Sequence, residues 1–213
     1  MNPPYPAPPP LRTRILEATL RQVMVEGFTT STSAIAQEAQ VGTGSLFRYF
    51  PTKTQLLQAA FAYASDLLRP PAAAADLSPP ALTVYARCQQ LWRQTAQQAA
   101  RHRAAFHYWR QYRTLPQHTG WCPPTELLLG PFDQVPGLLQ RASGRTHYCE
   151  VDAWLLTSQW TALVQFILDT FYVGPGATYD PEQGPTPAQL LDRAYEAWWE
   201  GLGLLREMQV RTY

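Results

Sequence analysis

Cysteine is scarce in this chain, which holds three in 213 residues, Cys88, Cys122 and Cys149. They are widely spaced, odd in number and form no CxxC pair, which argues against a disulfide framework and against a zinc site. Lysine is scarcer still, with Lys53 alone. Although 46% of the residues are hydrophobic, no stretch approaches the ~20 uninterrupted apolar residues that cross a bilayer. No basic-then-apolar leader opens the chain either. A soluble, cytoplasmic protein with no membrane partner is expected. Strand-like alternation and internal repeats are missing, so the expected fold class is all-α. His102, His107, His118 and His147 lack metal-ligand spacing, and no nucleophile motif, phosphate loop or carboxylate pair occurs. Neither catalysis, a cofactor nor a metal is expected.

Net charge is only +1, so no uniformly basic surface advertises a polyanionic partner; local distribution carries more information. From Met1 to Ala60 the cations are Arg12, Arg14, Arg21, Arg48 and Lys53, against Glu17, Glu26 and Glu38. The excess lies at the N-terminus and is small, and an ordinary solvated surface explains it equally well.

Proline is abundant, at 20 residues, and it punctuates the chain. Residues 1–10 are nearly all proline, alanine and tyrosine and are expected to form a flexible tail. Proline then vanishes until Pro51. Ile15, Ala18, Val23 and Phe28 recur at helical spacing, and Gly27 suits the end of that helix. Ser31 or Thr32 is placed to cap a second, shorter helix with Ile35, Ala36 and Ala39 on its inner face. Val41-Gly42 forms a turn, Thr43 can cap a third helix through Tyr49, and Pro51 limits its continuation. A fourth helix begins near Thr52 and runs to about Leu68, before the Arg69-Pro70-Pro71 break.

Further on, helical stretches are expected at 81–100 and 102–112, with shorter ones near 125–129 and 136–141 inside a segment rich in proline and glycine. Two longer helices, at about 147–172 and 187–207, close the chain. The expected organisation is a tail (1–10), a three-helix module (11–50), a connecting helix (51–68) and a larger helical domain (69–213).

Two small-faced helices joined by a short turn let the second project from the body into a major groove, and Ala36 and Ala39 permit the close packing this needs. Were these helices merely a bundle, the polar, glycine-containing third helix would leave much of its exposed face unused. The ordered run Gly27-Phe28-Thr29-Thr30-Ser31-Thr32-Ser33-Ala34-Ile35-Ala36, then Val41-Gly42-Thr43-Gly44-Ser45-Leu46-Phe47-Arg48-Tyr49-Phe50-Pro51-Thr52-Lys53, resembles the signature of the TetR family of helix-turn-helix transcription regulators. The resemblance covers about Leu11 to Ala60. It implies recognition-helix positions at Thr43, Gly44, Ser45, Arg48 and Tyr49. Arg48 is the candidate for a guanine, since its planar fork matches two acceptors; phosphate alone is the competing partner. Ser31 and Thr32 match capping and phosphate-binding hydroxyls, Tyr49 a phosphate-binding tyrosine, and Lys53 the lysine of the fourth helix. The chain departs from the pattern at Gln40, where a turn glycine is common, and at Phe47, where tyrosine is common.

The resemblance further implies a C-terminal domain that binds a small-molecule effector and forms a homodimer, hence a near-palindromic double-stranded DNA partner, and a repressor released by that effector. Trp92, Phe106, Trp109, Tyr112, Trp121, Trp154 and Trp160 are candidate linings of an aromatic pocket, with core packing as the plainer role of each. Arg103, His107 and Arg110 share helical spacing that suits an anionic ligand or, more simply, a solvated face. An apolar stripe through Ala153, Leu156, Trp160, Leu163, Ile167 and Phe171, and another through Ala194, Ala197, Gly201 and Leu205, are candidates for a four-helix dimer interface, with packing inside one chain as the alternative. Two rival functions stay open: a helical enzyme acting on an aromatic compound, and a constitutive DNA-binding protein with no effector.

Overall fold

The computed structural model describes residues 9–69, 84–114, 158–160, 162–166, 169 and 186–210. Every regular element among them is helical: α1 (Leu11–Glu26), a 3-10 turn (Gly27–Thr29), α2 (Thr32–Glu38), α3 (Thr43–Tyr49), α4 (Lys53–Leu68), α5 (Val84–Arg101), α6 (Arg103–Thr114) and α7 (Pro187–Val210). Residues 158–160 and 162–166 are helical as well. The all-α expectation holds. No helix among the described residues is long and apolar enough to cross a membrane.

The chain divides into two compact units, residues 1–67 with 102–122, and residues 68–101 with 123–213. Residues 102–122 thus group with the N-terminal segment in the first unit. The reason is the aromatic face of α6. Tyr108 is fully buried and Tyr112 nearly so; Phe28 meets both rings edge-on, at 5.1 and 5.8 Å. Tyr112 also stacks on Phe61 of α4 at 4.6 Å. The Tyr108 hydroxyl donates to the Leu57 carbonyl at 2.9 Å, and its burial pushes the phenol well above its ordinary range.

Within the first unit, α1 to α4 close around Ile15, Leu16, Val23, Ile35, Leu46, Leu56 and Phe61, all essentially without solvent contact. Polar ties fix the helices against one another. Arg14 donates to the Ala39 carbonyl at the end of α2 at 2.8 Å, and Arg21 meets Glu38 at 2.7 Å. The Tyr63 hydroxyl of α4 donates to Glu17 at 3.3 Å; burial, helped by that carboxylate, pushes the phenol up to about 12. Gly27 ends α1 with φ 71°, a conformation that favours glycine, and its N–H bonds the Val23 carbonyl.

Ser31 proves to be the cap of α2, its Oγ accepting from the Ala34 N–H at 3.0 Å. The helix ends in a Schellman arrangement, with the Val41 N–H on the Ala36 carbonyl and the Gln40 N–H on that of Gln37. Gln40 therefore occupies the left-handed position, at φ 54°. A side chain there costs roughly 1–2 kcal/mol, and the greater unfolded-state freedom of glycine takes back about 0.5–1. Gln40→Gly is accordingly expected to stabilise the unit by about 0.5–1 kcal/mol, read as a higher denaturation midpoint at unchanged m-value. A lower midpoint would show that the Gln40 side chain has a role beyond occupying the turn.

In the second unit, α5 packs on α7. The Trp92 indole donates to the Leu191 carbonyl at 3.0 Å, Arg93 forms a two-pronged pair with Asp192 at 2.8 and 3.0 Å, and the Tyr195 hydroxyl donates to the Tyr85 carbonyl at 2.7 Å. Cys88 is buried with a free thiol, which burial pushes up to about 12.

Candidate nucleic-acid interface

On α3 only Leu46 faces the core. Thr43, Gly44, Ser45, Phe47, Arg48 and Tyr49 are all exposed. Residues four apart share a ridge of a helix, so three ridges look outward: Gly44 with Arg48 opposite the buried side, flanked by Thr43 with Phe47 and by Ser45 with Tyr49. The predicted Thr43 cap is corrected by the structure. Gly42 is the N-cap, without a side-chain bond, and Thr43 is the first helical residue. Gly42 has extended backbone, and Thr43 is exposed.

Gly44 meets nothing within 4 Å where a Cβ would stand. Its small size therefore answers no packing demand among the described residues and leaves the outer face flat for an approaching partner. Since glycine in a helix costs roughly 0.5–1 kcal/mol relative to alanine, Gly44→Ala is expected to stabilise the fold by that amount while weakening DNA binding. Thermal unfolding and titration of the selected duplex measure the two effects. Unchanged affinity would show that DNA does not approach the Gly44 ridge closely.

The remaining candidates surround this helix. Thr32 opens α2 beside its Ser31 cap. Arg12 lies over the Phe50 ring at 5.5 Å. Lys53, the first residue of α4, has a partner that sequence did not foresee: its ammonium donates to the Phe28 carbonyl at 2.9 Å. One of its three donors thus holds the end of the α1 segment, and two are left for a phosphate. Arg14 and Arg21 are engaged with Ala39 and Glu38, which leaves Arg48 as the outward cation of α3.

The expected pocket aromatics fall into two groups. Phe106, Trp109 and Tyr112 are buried in the first unit and Trp92 and Trp160 in the second. Trp92 meets Trp160 edge-on at 6.1 Å, Tyr195 at 5.6 Å and Trp198 at 5.5 Å. Arg113 covers the Trp109 ring at 4.6 Å, and burial lowers its guanidinium to about 10. Trp121 and Trp154 lie outside the described residues. Of the expected dimer contacts, Ala197 is exposed, Leu163 is half-buried, and Leu156 and Ile167 lie outside the described residues; Gly201 and Leu205 stand in α7. Among the described residues, Phe166 at 62% exposure and Phe47 at 41% are the exposed aromatics without an assigned role from the sequence. For Phe166 a signal existed, its place three residues after Leu163 on the same stripe.

A polar helix carried outward by one buried leucine, after a short helix and a tight turn, defines the helix-turn-helix class of DNA-binding proteins. Residues 15–60 match the model of the bacterial regulatory proteins of the tetR family. Over those residues the helix-turn-helix module is similar to that of this family. No curated protein matches the chain. Among solved structures, one from Shewanella sp. PV-4 assigned to the tetR family of transcription regulators is 22% identical, with 91% of this chain and 98% of that one covered and a TM-score of 0.66. A TetR family transcription regulator from Marinobacter aquaeolei VT8 is 23% identical, covering 88% and 94%, with a TM-score of 0.60. A TetR-like transcriptional regulator from Rhodococcus sp. RHA1 is 16% identical, covering 95% and 99%, with a TM-score of 0.59. The fold extending over both units is that of these regulators.

Proposed function

We propose that this protein is a cytoplasmic, non-enzymatic transcription regulator, a homodimer that binds a near-palindromic operator and represses until a small-molecule effector releases it. The observation that carries the reading is the outer face of α3, where Arg48 and the hydroxyl residues Thr43, Ser45 and Tyr49 surround a glycine that no packing among the described residues requires. Thr43, Gly44, Ser45 and Arg48 meet base edges, while Ser31, Thr32, Tyr49 and Lys53 set the docking register on phosphates. The aromatic surroundings of Trp92 and Trp160 or of Phe106, Trp109 and Tyr112 are where an apolar effector would bind. Leu163 and the α7 positions Ala197, Gly201 and Leu205 are proposed to join with Leu156 and Ile167 in pairing two copies.

The test is selection of genomic fragments by the purified full chain at several salt concentrations, with sedimentation of the same sample. A dimer enriching one near-palindrome, with affinity falling as salt rises, is the expected result. A folded protein that enriches no sequence overturns the DNA-binding assignment, and a concentration-independent monomer overturns the pairing. Adding candidate effectors to the bound operator separates a sensor from a constitutive binder, since only a sensor releases DNA.

A further inference from the structure

Phe47 stands on the outer face of α3 with no part in the contacts assigned so far. It is 41% exposed, lies four residues after Thr43 on the ridge beside Gly44 and Arg48, and meets no ring or cation among the described residues. Its ring carries no donor and no acceptor, so neither a phosphate nor a polar base edge gives it a partner. The major groove presents one apolar group, the C5-methyl of thymine. Thr43, one turn earlier on that ridge, adds a methyl of its own.

We propose that Phe47, together with the Thr43 methyl, reads the C5-methyl of a thymine in each operator half-site. The proposal rests on the DNA-binding reading above and adds a base to it: each half-site carries a thymine beside the guanine that Arg48 reads, the two being held on neighbouring ridges of one short helix. The two contacts differ in kind. Arg48 selects by hydrogen bonds, whereas Phe47 selects by shape and by removal of two apolar surfaces from water.

The experiment uses the full chain and its selected operator, with each thymine replaced singly by deoxyuridine, which removes the methyl and keeps the pairing edge. Burying one methyl is worth about 0.8 kcal/mol, or about fourfold in affinity. One thymine per half-site is therefore expected to show an about fourfold loss, and replacing both to show about fifteenfold. With Phe47→Ala that penalty disappears at the same position and nowhere else, and Phe47→Leu keeps part of it. An operator in which no thymine responds to deoxyuridine overturns the proposal without any variant. So does a penalty that persists undiminished in Phe47→Ala, since another side chain then reads the methyl. Binding of the operator with no methyl effect leaves the DNA-binding reading standing and removes only this inference; failure to select any DNA removes both.

Discussion

Arg48→Ala will flatten the base preference at one position of each half-site and weaken the selected operator by about 1–3 kcal/mol per half-site. The guanidinium stands on the central outward ridge of α3, exposed and with no ion pair or hydrogen bond to another described residue. No contact among the described residues therefore has to be broken for it to reach a guanine, and none is lost when it is removed. Lys53→Ala provides the contrast. Removing its ammonium abandons the Phe28 carbonyl, so thermal stability is expected to fall; in the proposed docking it also removes a phosphate donor, so related operators are expected to weaken nearly uniformly and the slope of affinity against salt to become shallower. A quantitative preference profile over all half-site variants, with unfolding curves for both proteins, distinguishes the two. An Arg48→Ala profile identical in shape to wild type would assign Arg48 to phosphate and leave base reading to its neighbours.

The parts of this interface that were legible in the sequence are those fixed by local chemistry. A hydroxyl two positions before Ser33 caps α2, a glycine after Glu26 ends α1, and Thr52 caps α4 by accepting from the Gln55 N–H at 3.1 Å. Each bond joins residues three or four apart, so the chain segment that forms it is visible in one glance at the sequence. The contacts that were not legible span greater separations. Lys53 and Phe28, or Arg14 and Ala39, are 25 residues apart, and no residue type announces which distant carbonyl it will find. Gln40 is the converse case: the departure from glycine was visible, but its meaning, a side chain held in the left-handed position, came only with the backbone angles.

Beyond α4 the same distinction governs what the aromatics mean. Phe106, Trp109 and Tyr112 were candidates for a pocket lining or for the core, and all three are buried. Residue type and chain position do not name the partner of a buried ring. Tyr112 stacks on Phe61, which ties α6 to α4 within the first unit. This placement gives α6 a mechanical consequence, because a displacement of α6 would press on Phe28 and on α4 through Tyr108 and Tyr112. Phe28 is in turn the residue whose carbonyl Lys53 holds.

Leu46→Ala is expected to destabilise the protein by about 2–5 kcal/mol, the cost of truncating a fully buried leucine, and to abolish operator binding. Leu46 is the one residue of α3 that reaches the core, and it has no solvent exposure. With seven residues, α3 is far below the ~12–15 residues at which an isolated helix becomes marginally stable in water. Its persistence therefore depends on tertiary anchorage at Leu46 and at the nearly buried Phe50 just beyond its end. Removing the isobutyl group leaves a cavity beneath α3, and the helix is expected to fray before the rest of the protein unfolds. The backbone amides of Ser45, Leu46 and Phe50, which bond the Gly42 and Leu46 carbonyls, should lose protection in hydrogen exchange, while amides of α5 and α7 keep theirs. Leu46→Met, which conserves volume, is expected to cost less than about 1.5 kcal/mol and to retain binding. If Leu46→Ala instead keeps wild-type exchange in α3 and wild-type operator affinity, the helix is anchored by something other than this side chain.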